Sequence, residues 1–223
     1  MDIFGSNYFQ IKIFMPASSS SSAPSSRRRS PGRPREFDAD QALDGAVRVF
    51  SERGYAGASI SDLSEAMQLA QGSLYKAFRD KQSLFLAALE RYRTQRSEKL
   101  RRAIDAGATG RGRLRNMLLF YAESAQGAVG RQGCLVVSSA VAITGFEPSV
   151  AARITSSLAR NEALLEELIR QGQRDGSVAA HTDPASTARL LLCLTQGMRV
   201  VGKAGRSRKE MLALVDVALK VLD

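Results

Sequence analysis

The chain has 223 residues, 44% hydrophobic but only 6% aromatic, and a net charge of +10. That length suits one domain, or a small domain fused to a larger one, and the positive excess suits a polyanionic partner such as nucleic acid. Two cysteines make no disulfide framework, and no apolar run reaches the length of a membrane-spanning helix. A cytoplasmic protein without a membrane partner is therefore expected.

The stretch "MPASSSSSAPSSRRRSPGRPRE", Met15–Glu36, is low-complexity and carries too little apolar surface to offset its ordering entropy. It predicts a disordered basic arm over residues 1–35. Its Gly32-Arg33-Pro34 core is expected to stay thin and extended, since Pro and Gly disfavour helix. Arg33 and Arg35 can enter a narrow A·T-rich minor groove, or touch phosphates without preference, and the sequence leaves both open.

From Phe37 the pattern becomes helical. Asp38 is placed to cap a helix carrying Leu43, Ala46, Val47 and Phe50 at three-to-four spacing, and Gly54 to end it. Ser59 and Asp62 form a capping-box pair opening a second helix, with Ile60, Leu63, Ala66 and Met67 inward. After a break at Gln68–Leu69 comes "AQGSLYKAFRDK", in which Leu74, Ala77 and Phe78 suffice to hold a short helix onto the other two. Gln71, Gly72, Ser73, Tyr75 and Lys76 are then left outward. Asp80 caps a long helix predicted to run to about Ala106.

Three short helices with a tight turn before the third describe a helix-turn-helix unit over residues 36–84. Small outward residues let the third helix sit deep in a major groove with its first turns against base edges. Tyr75, Lys76 and Lys81 are candidate phosphate donors, and Ser59 adds a hydroxyl at a helix N-terminus. The mid-chain run "RYRTQRSEKLRR" with "RGRLR" is expected to be a solvated helix face whose field speeds encounter with DNA.

Residues 85–223 predict further helices: "GRLRNMLLFYAESA", a short apolar "GCLVVSSAVAIT", a long one opened by Pro148, one capped at Asp183–Pro184, and a last one boxed by Ser207 and Glu210. The chain is thus expected to be all-α. The last helix is apolar on several faces, with Met211, Leu212, Leu214, Val215, Val217, Ala218, Leu219, Val221 and Leu222. The preceding helix covers one side only, so a second copy is expected on the other, the alternative being deeper burial within the chain.

A lone His181, in a loop, and two isolated cysteines supply neither a nucleophile–base set nor a metal cluster. No enzyme, metal or cofactor is expected. Cys193 is expected to be a small apolar filler at the core or dimer face that reacts slowly with thiol reagents. Cys134 follows Gly133 at a predicted helix start with Arg131 nearby. It is either a low-pKa sensing thiol or a buried wall residue.

The run "FDADQALDGAVRVFSERGYAGASISDLSEAMQLAQGSLYKAFRDKQSLF" resembles the DNA-binding domain of TetR-type transcriptional repressors. The matching features are Gly54-Tyr55, the S-I-x-D-L from Ser59, S-L-Y-x-x-F from Ser73, and Lys81 in F-x-D-K-x-x-L-F. It departs from the pattern at Gln68, where Gly is usual, and at Ala70, where a polar cap is common. The resemblance implies phosphate contacts from Ser59, Tyr75 and Lys81 and base readout around Gln71, Ser73 and Lys76. It also implies a variable C-terminal helical domain that binds a small molecule and dimerises through its last two long helices. "GCLVVSSA" is similar to a segment in a subset of the family, some of whose members sense electrophiles or oxidants through cysteine.

The resulting expectation is a homodimeric, ligand-responsive regulator, a repressor released from a double-stranded, near-palindromic DNA operator by a small-molecule effector. The alternatives are a thiol-based sensor of the same fold using Cys134 and an architectural DNA-binding protein without an effector.

Overall fold

The computed structural model describes residues 39–223, and every regular element among them is helical. The N-terminal arm with Arg33 and Arg35, and the cap expected at Asp38, lie outside the described residues. Helix α1 spans Ala39–Gly57 and buries Ala42, Ala46, Val49 and Phe50 along one face. It is broken near its end where Gly54 takes φ 71°, a left-handed conformation that costs glycine little. The sequence therefore places the break correctly, although one further helical turn follows it.

Helix α2 (Ile60–Ala66) opens on Ser59, whose capping box with Asp62 is closed in both directions. Gln68 carries the turn to α3 (Gln71–Ala77) with φ 55°, so a side chain stands in the left-handed conformation that favours glycine. The Ser64 hydroxyl donates to the Leu69 carbonyl across this turn and helps to hold it. Gly45 sets the crossing of α1 and α2, because a Cβ there would lie 2.1 Å from the Ala66 carbonyl oxygen.

Helix α4 (Lys81–Asp105), boxed by Asp80 and Ser83, runs through both cores of the molecule. Its first turns give Leu84, Phe85, Ala88 and Leu89 to the core around Phe50, Leu63 and Leu74. Its last turns give Leu100 and Ile104 to a second core, built from α5 (Gly110–Ser124), α8 (Pro148–Arg174), α9 (Pro184–Lys203) and α10 (Arg208–Ala218). Pro at the first position of α8 and of α9 fits the predicted starts. A 3-10 turn, Leu219–Leu222, ends the chain.

Two short helices, α6 (Gly127–Gln132) and α7 (Leu135–Val141), fill the space between the two cores. Cys134, Leu135 and Val136, with Val150 and Ile154 of α8, close the core of the N-terminal helices. Phe146 packs on Tyr55 at 4.9 Å and on Phe85 at 5.2 Å between ring centres. The helix-turn-helix unit of α1 to α3, the reader in the resemblance, therefore rests on residues far away in the chain.

The basic run expected to be solvated is only partly so. Arg91 bridges α4 to α1 through Asp40 at 2.7 Å and Asp44 at 2.9 Å, and Arg96 turns into the interior. A long stem over apolar surface lets an arginine do this where its charge finds partners.

Phe50 is fully buried, edge-on to Phe85, in the core shared by the reader helices and α7. Phe50→Ala should cost about 3–5 kcal/mol in urea unfolding followed by circular dichroism. A loss under about 1 kcal/mol would show that this core does not hold the reader.

Candidate nucleic-acid interface

Helix α3 turns a single large side chain, Leu74, fully inward. Ala77 and Phe78, expected to help hold it, are half-buried. Gln71, Gly72, Ser73, Tyr75 and Lys76 are all exposed, and Tyr75 is 52% exposed despite its ring. Nothing lies within 4 Å of where a Gly72 Cβ would stand, so packing within the chain does not require the glycine. Its smallness has value only against something outside.

Lys81 begins α4 beside this face, with its ammonium 4.7 Å above the centre of the Tyr55 ring. Burial lowers its pKa. The Ser59 hydroxyl donates to Asp62 at 2.7 Å and accepts from the Asp62 amide at 3.0 Å. A phosphate contact from Ser59 thus requires its proton to leave Asp62. Arg53 lies on the other side of that carboxylate at 2.7 Å and ties the end of α1 to α2. The Ser59 bonds, and then Arg53, hold the Asp62 pKa below the usual carboxylate value.

Behind the reader lies a buried polar cluster. Cys134 is the N-cap residue of α7, as its place after Gly133 suggests, and it is buried. The Tyr92 hydroxyl donates to its Sγ at 3.1 Å. Burial opposes ionisation of the thiol, but the fields of Arg96 and Arg199, with the Tyr92 bond, outweigh it and lower the pKa. Tyr92 and Tyr121 move the other way, chiefly through burial, and stay protonated.

Arg199 donates to the carbonyls of Ser124, at the end of α5, and of Gly133, at 2.8 Å, just past α6. Gly133 itself has φ 90°, and a Cβ there would stand 3.0 Å from the Ser51 carbonyl of α1. The Lys203 ammonium donates to the neighbouring Glu52 carbonyl at 3.3 Å. The cluster therefore touches the reader's first helix directly.

Residues 42–88 match the family model for bacterial regulatory proteins of the tetR family, and residues 110–216 match a tetracyclin repressor-like C-terminal domain. A cysteine variant of the TetR family transcriptional regulator CifR, complexed with 26-base-pair double-strand operator DNA, is 34% identical. It superposes with a TM-score of 0.75 over 84% of this chain and 98% of its own. The chain belongs to the TetR family. The HTH-type transcriptional repressor ComR of Escherichia coli K12 is 27% identical over 87% of this chain and 93% of its own. NemR, a repressor of the same organism, is 24% identical over 70% and 79%. This TetR-family chain is a DNA-binding transcriptional regulator.

One expectation about the thiol site needs correction. Arg131 is exposed, and the arginines acting on Cys134 are Arg96 and Arg199. Cys193 is exposed on α9, so of the two places expected for it, core or dimer face, it is not in the core of the chain. Sequence reasoning missed Tyr92, Arg96 and Arg199 because they lie 38 or more positions from Cys134 and inside segments that look like ordinary helix. The one available signal was an arginine within the apolar "GMRVVG". His181 is exposed in its loop.

Gly72→Ala should leave stability unchanged or raise it by up to about 1 kcal/mol, since the new methyl meets open space and helix propensity improves. The same change should weaken operator binding, measured by fluorescence anisotropy. Unaltered binding would mean that this face of α3 does not enter the groove.

Proposed function

We propose that the protein is a homodimeric repressor that holds a near-palindromic operator through α3 and leaves it when an effector occupies the C-terminal helical part. The carrying observation is the outward face of α3, polar and small where the fold asks for nothing. In this reading Gln71, Ser73 and Lys76 read base edges, while Tyr75, Lys81 and Ser59 contact phosphates. Arg33 and Arg35 reach the flanking DNA. The reader spans residues 36–84 and the effector and dimerisation part residues 85–223, with α4 common to both. That CifR variants occur in complex with operator DNA supports the same assignment.

A second copy is called for by the outer faces of α9 and α10. Leu190, Val200 and Val201 on α9 are exposed together with Leu214, Val217 and Val221 at the end of the chain. Cys193 lies one turn from Leu190 on the same face and is covered when the dimer forms. Met211, Val215 and Leu222 meanwhile fill the core on the opposite side. Apolar surface on both sides of a terminal helix is the pattern of a subunit seam. Two readers joined there must meet half-sites about 34 Å apart, or a small multiple of that.

Release is a population shift, and the effector achieves only as much as it favours the non-binding arrangement. The Gly133–Cys134 turn, wedged between Arg199 and α1, supports a route for that preference. A second reading is favoured by the lowered pKa of Cys134: the thiolate itself is the sensor, and a group added there displaces α7 from the reader core.

Val217→Glu should give monomers in sedimentation and abolish operator binding, whereas Lys81→Ala should weaken all DNA sequences alike and flatten the salt slope by roughly one unit. A Val217→Glu protein that stays dimeric on DNA would refute the seam. For the second reading, an electrophile should release the operator from wild type and not from Cys134→Ser. Equal release from both would leave Cys134 a packing residue.

A further inference from the structure

Two guanidinium groups enter the interior near Cys134 without a carboxylate. Arg199 is only 3% exposed, and neither it nor Arg96 takes part in an ion pair with Asp or Glu among the described residues. The two carbonyls that Arg199 holds give it a structural reason, as a cation on the ends of α5 and α6. Its Nε is left over, buried and unpartnered. Arg96 holds no helix end, and Tyr121 is the one side chain that accepts a hydrogen bond from it. Its guanidinium lies 4.7 Å from the centre of the Phe120 ring and 5.0 Å from that of Tyr121, and its buried Nη2 has no partner.

A buried charge left unpaired is costly, and a ring face offsets only part of that. Tyr92 and Tyr121 remain protonated, so within the cluster only Cys134 can supply a negative charge. Even with Cys134 ionised, one of the two guanidinium charges stays unmatched. The site lacks one anion.

We propose that Arg96 is the recognition point of the effector, and that the effector is a short-chain monocarboxylate. The planar fork of Arg96 matches a carboxylate, and the Tyr121 hydroxyl, whose oxygen accepts from Arg96, keeps its proton to donate beside it. The Phe120 ring receives the apolar tail. The carboxylate supplies the missing charge, and its arrival beside Cys134 and Arg199 bears on the Gly133 turn that touches α1. This deepens the effector-released reading and rests on it.

The test is isothermal titration of the full-length protein with acetate, propionate, butyrate and hexanoate, their primary amides and inorganic phosphate, at constant ionic strength. Operator release is followed in parallel by anisotropy. At least one carboxylate should bind about tenfold or more tighter than its amide and release the operator. Arg96→Met should lose the carboxylate, and Arg96→Lys, which keeps the charge without the fork, should fall between. No heat from any of the four acids overturns the proposal, as does equal binding of amides, tighter binding of phosphate, or an Arg96→Met protein that binds the acid like wild type. Should Arg96→Met lose its helical signal, Arg96→Lys decides alone, and undiminished binding by it counts against the fork. Failure of the wild type to bind any operator overturns the repressor reading instead, and the calorimetric titration still decides the ligand.

Discussion

The arrangement depends on one buried contact, the Arg199 guanidinium on the carbonyls of Ser124 and Gly133. Those carbonyls belong to the ends of α5 and α6, where a helix leaves acceptors unpaired and a cation is favoured. Holding them fixes the turn at Gly133, and the turn fixes where α7 begins. Cys134, Leu135 and Val136 then enter the core of the reader helices. Without that turn the reader would lack one wall of its core, and α1 would lose one of its contacts with the C-terminal helices.

The two parts of the chain are joined at further points. Helix α4 carries apolar residues into both cores, Phe146 stacks on the aromatic group of the reader, and Lys203 reaches the last turns of α1. A change in the C-terminal helices has physical places at which to act on α3, through α1 and α2, which Arg53 and Asp62 tie together. An alternative arrangement of these contacts, not a flexible linker, is what an effector would select.

Much of the fold was legible in the sequence because its signals are local. Capping boxes at Ser59–Asp62 and Ser207–Glu210, prolines at 148 and 184, and the spacing of Leu63, Leu74 and Phe85 each act within a few residues. The outward face of α3 was legible for the same reason, since seven residues with one large apolar anchor leave little choice of face. What escaped is non-local. Arg96 sits in a run of charged residues that looks solvated, and only the fold turns it toward Tyr121 and Cys134. The leucines around Cys193 left core and dimer face equally open, and only the fold puts the cysteine on the outer side of α9. Arg131 is next to Cys134 in sequence and points away, whereas Arg199 is distant and adjacent in space.

The central claim is that the Arg199-held turn joins the C-terminal helices to the reader. Amide hydrogen exchange of wild type and Arg199→Gln, resolved by peptide, measures it directly. The account predicts faster exchange in the mutant over α6 and α7 and over the second half of α1, with α8 and α10 unchanged. Faster exchange confined to α5, α6 and α9, with α1 as protected as in wild type, would contradict it.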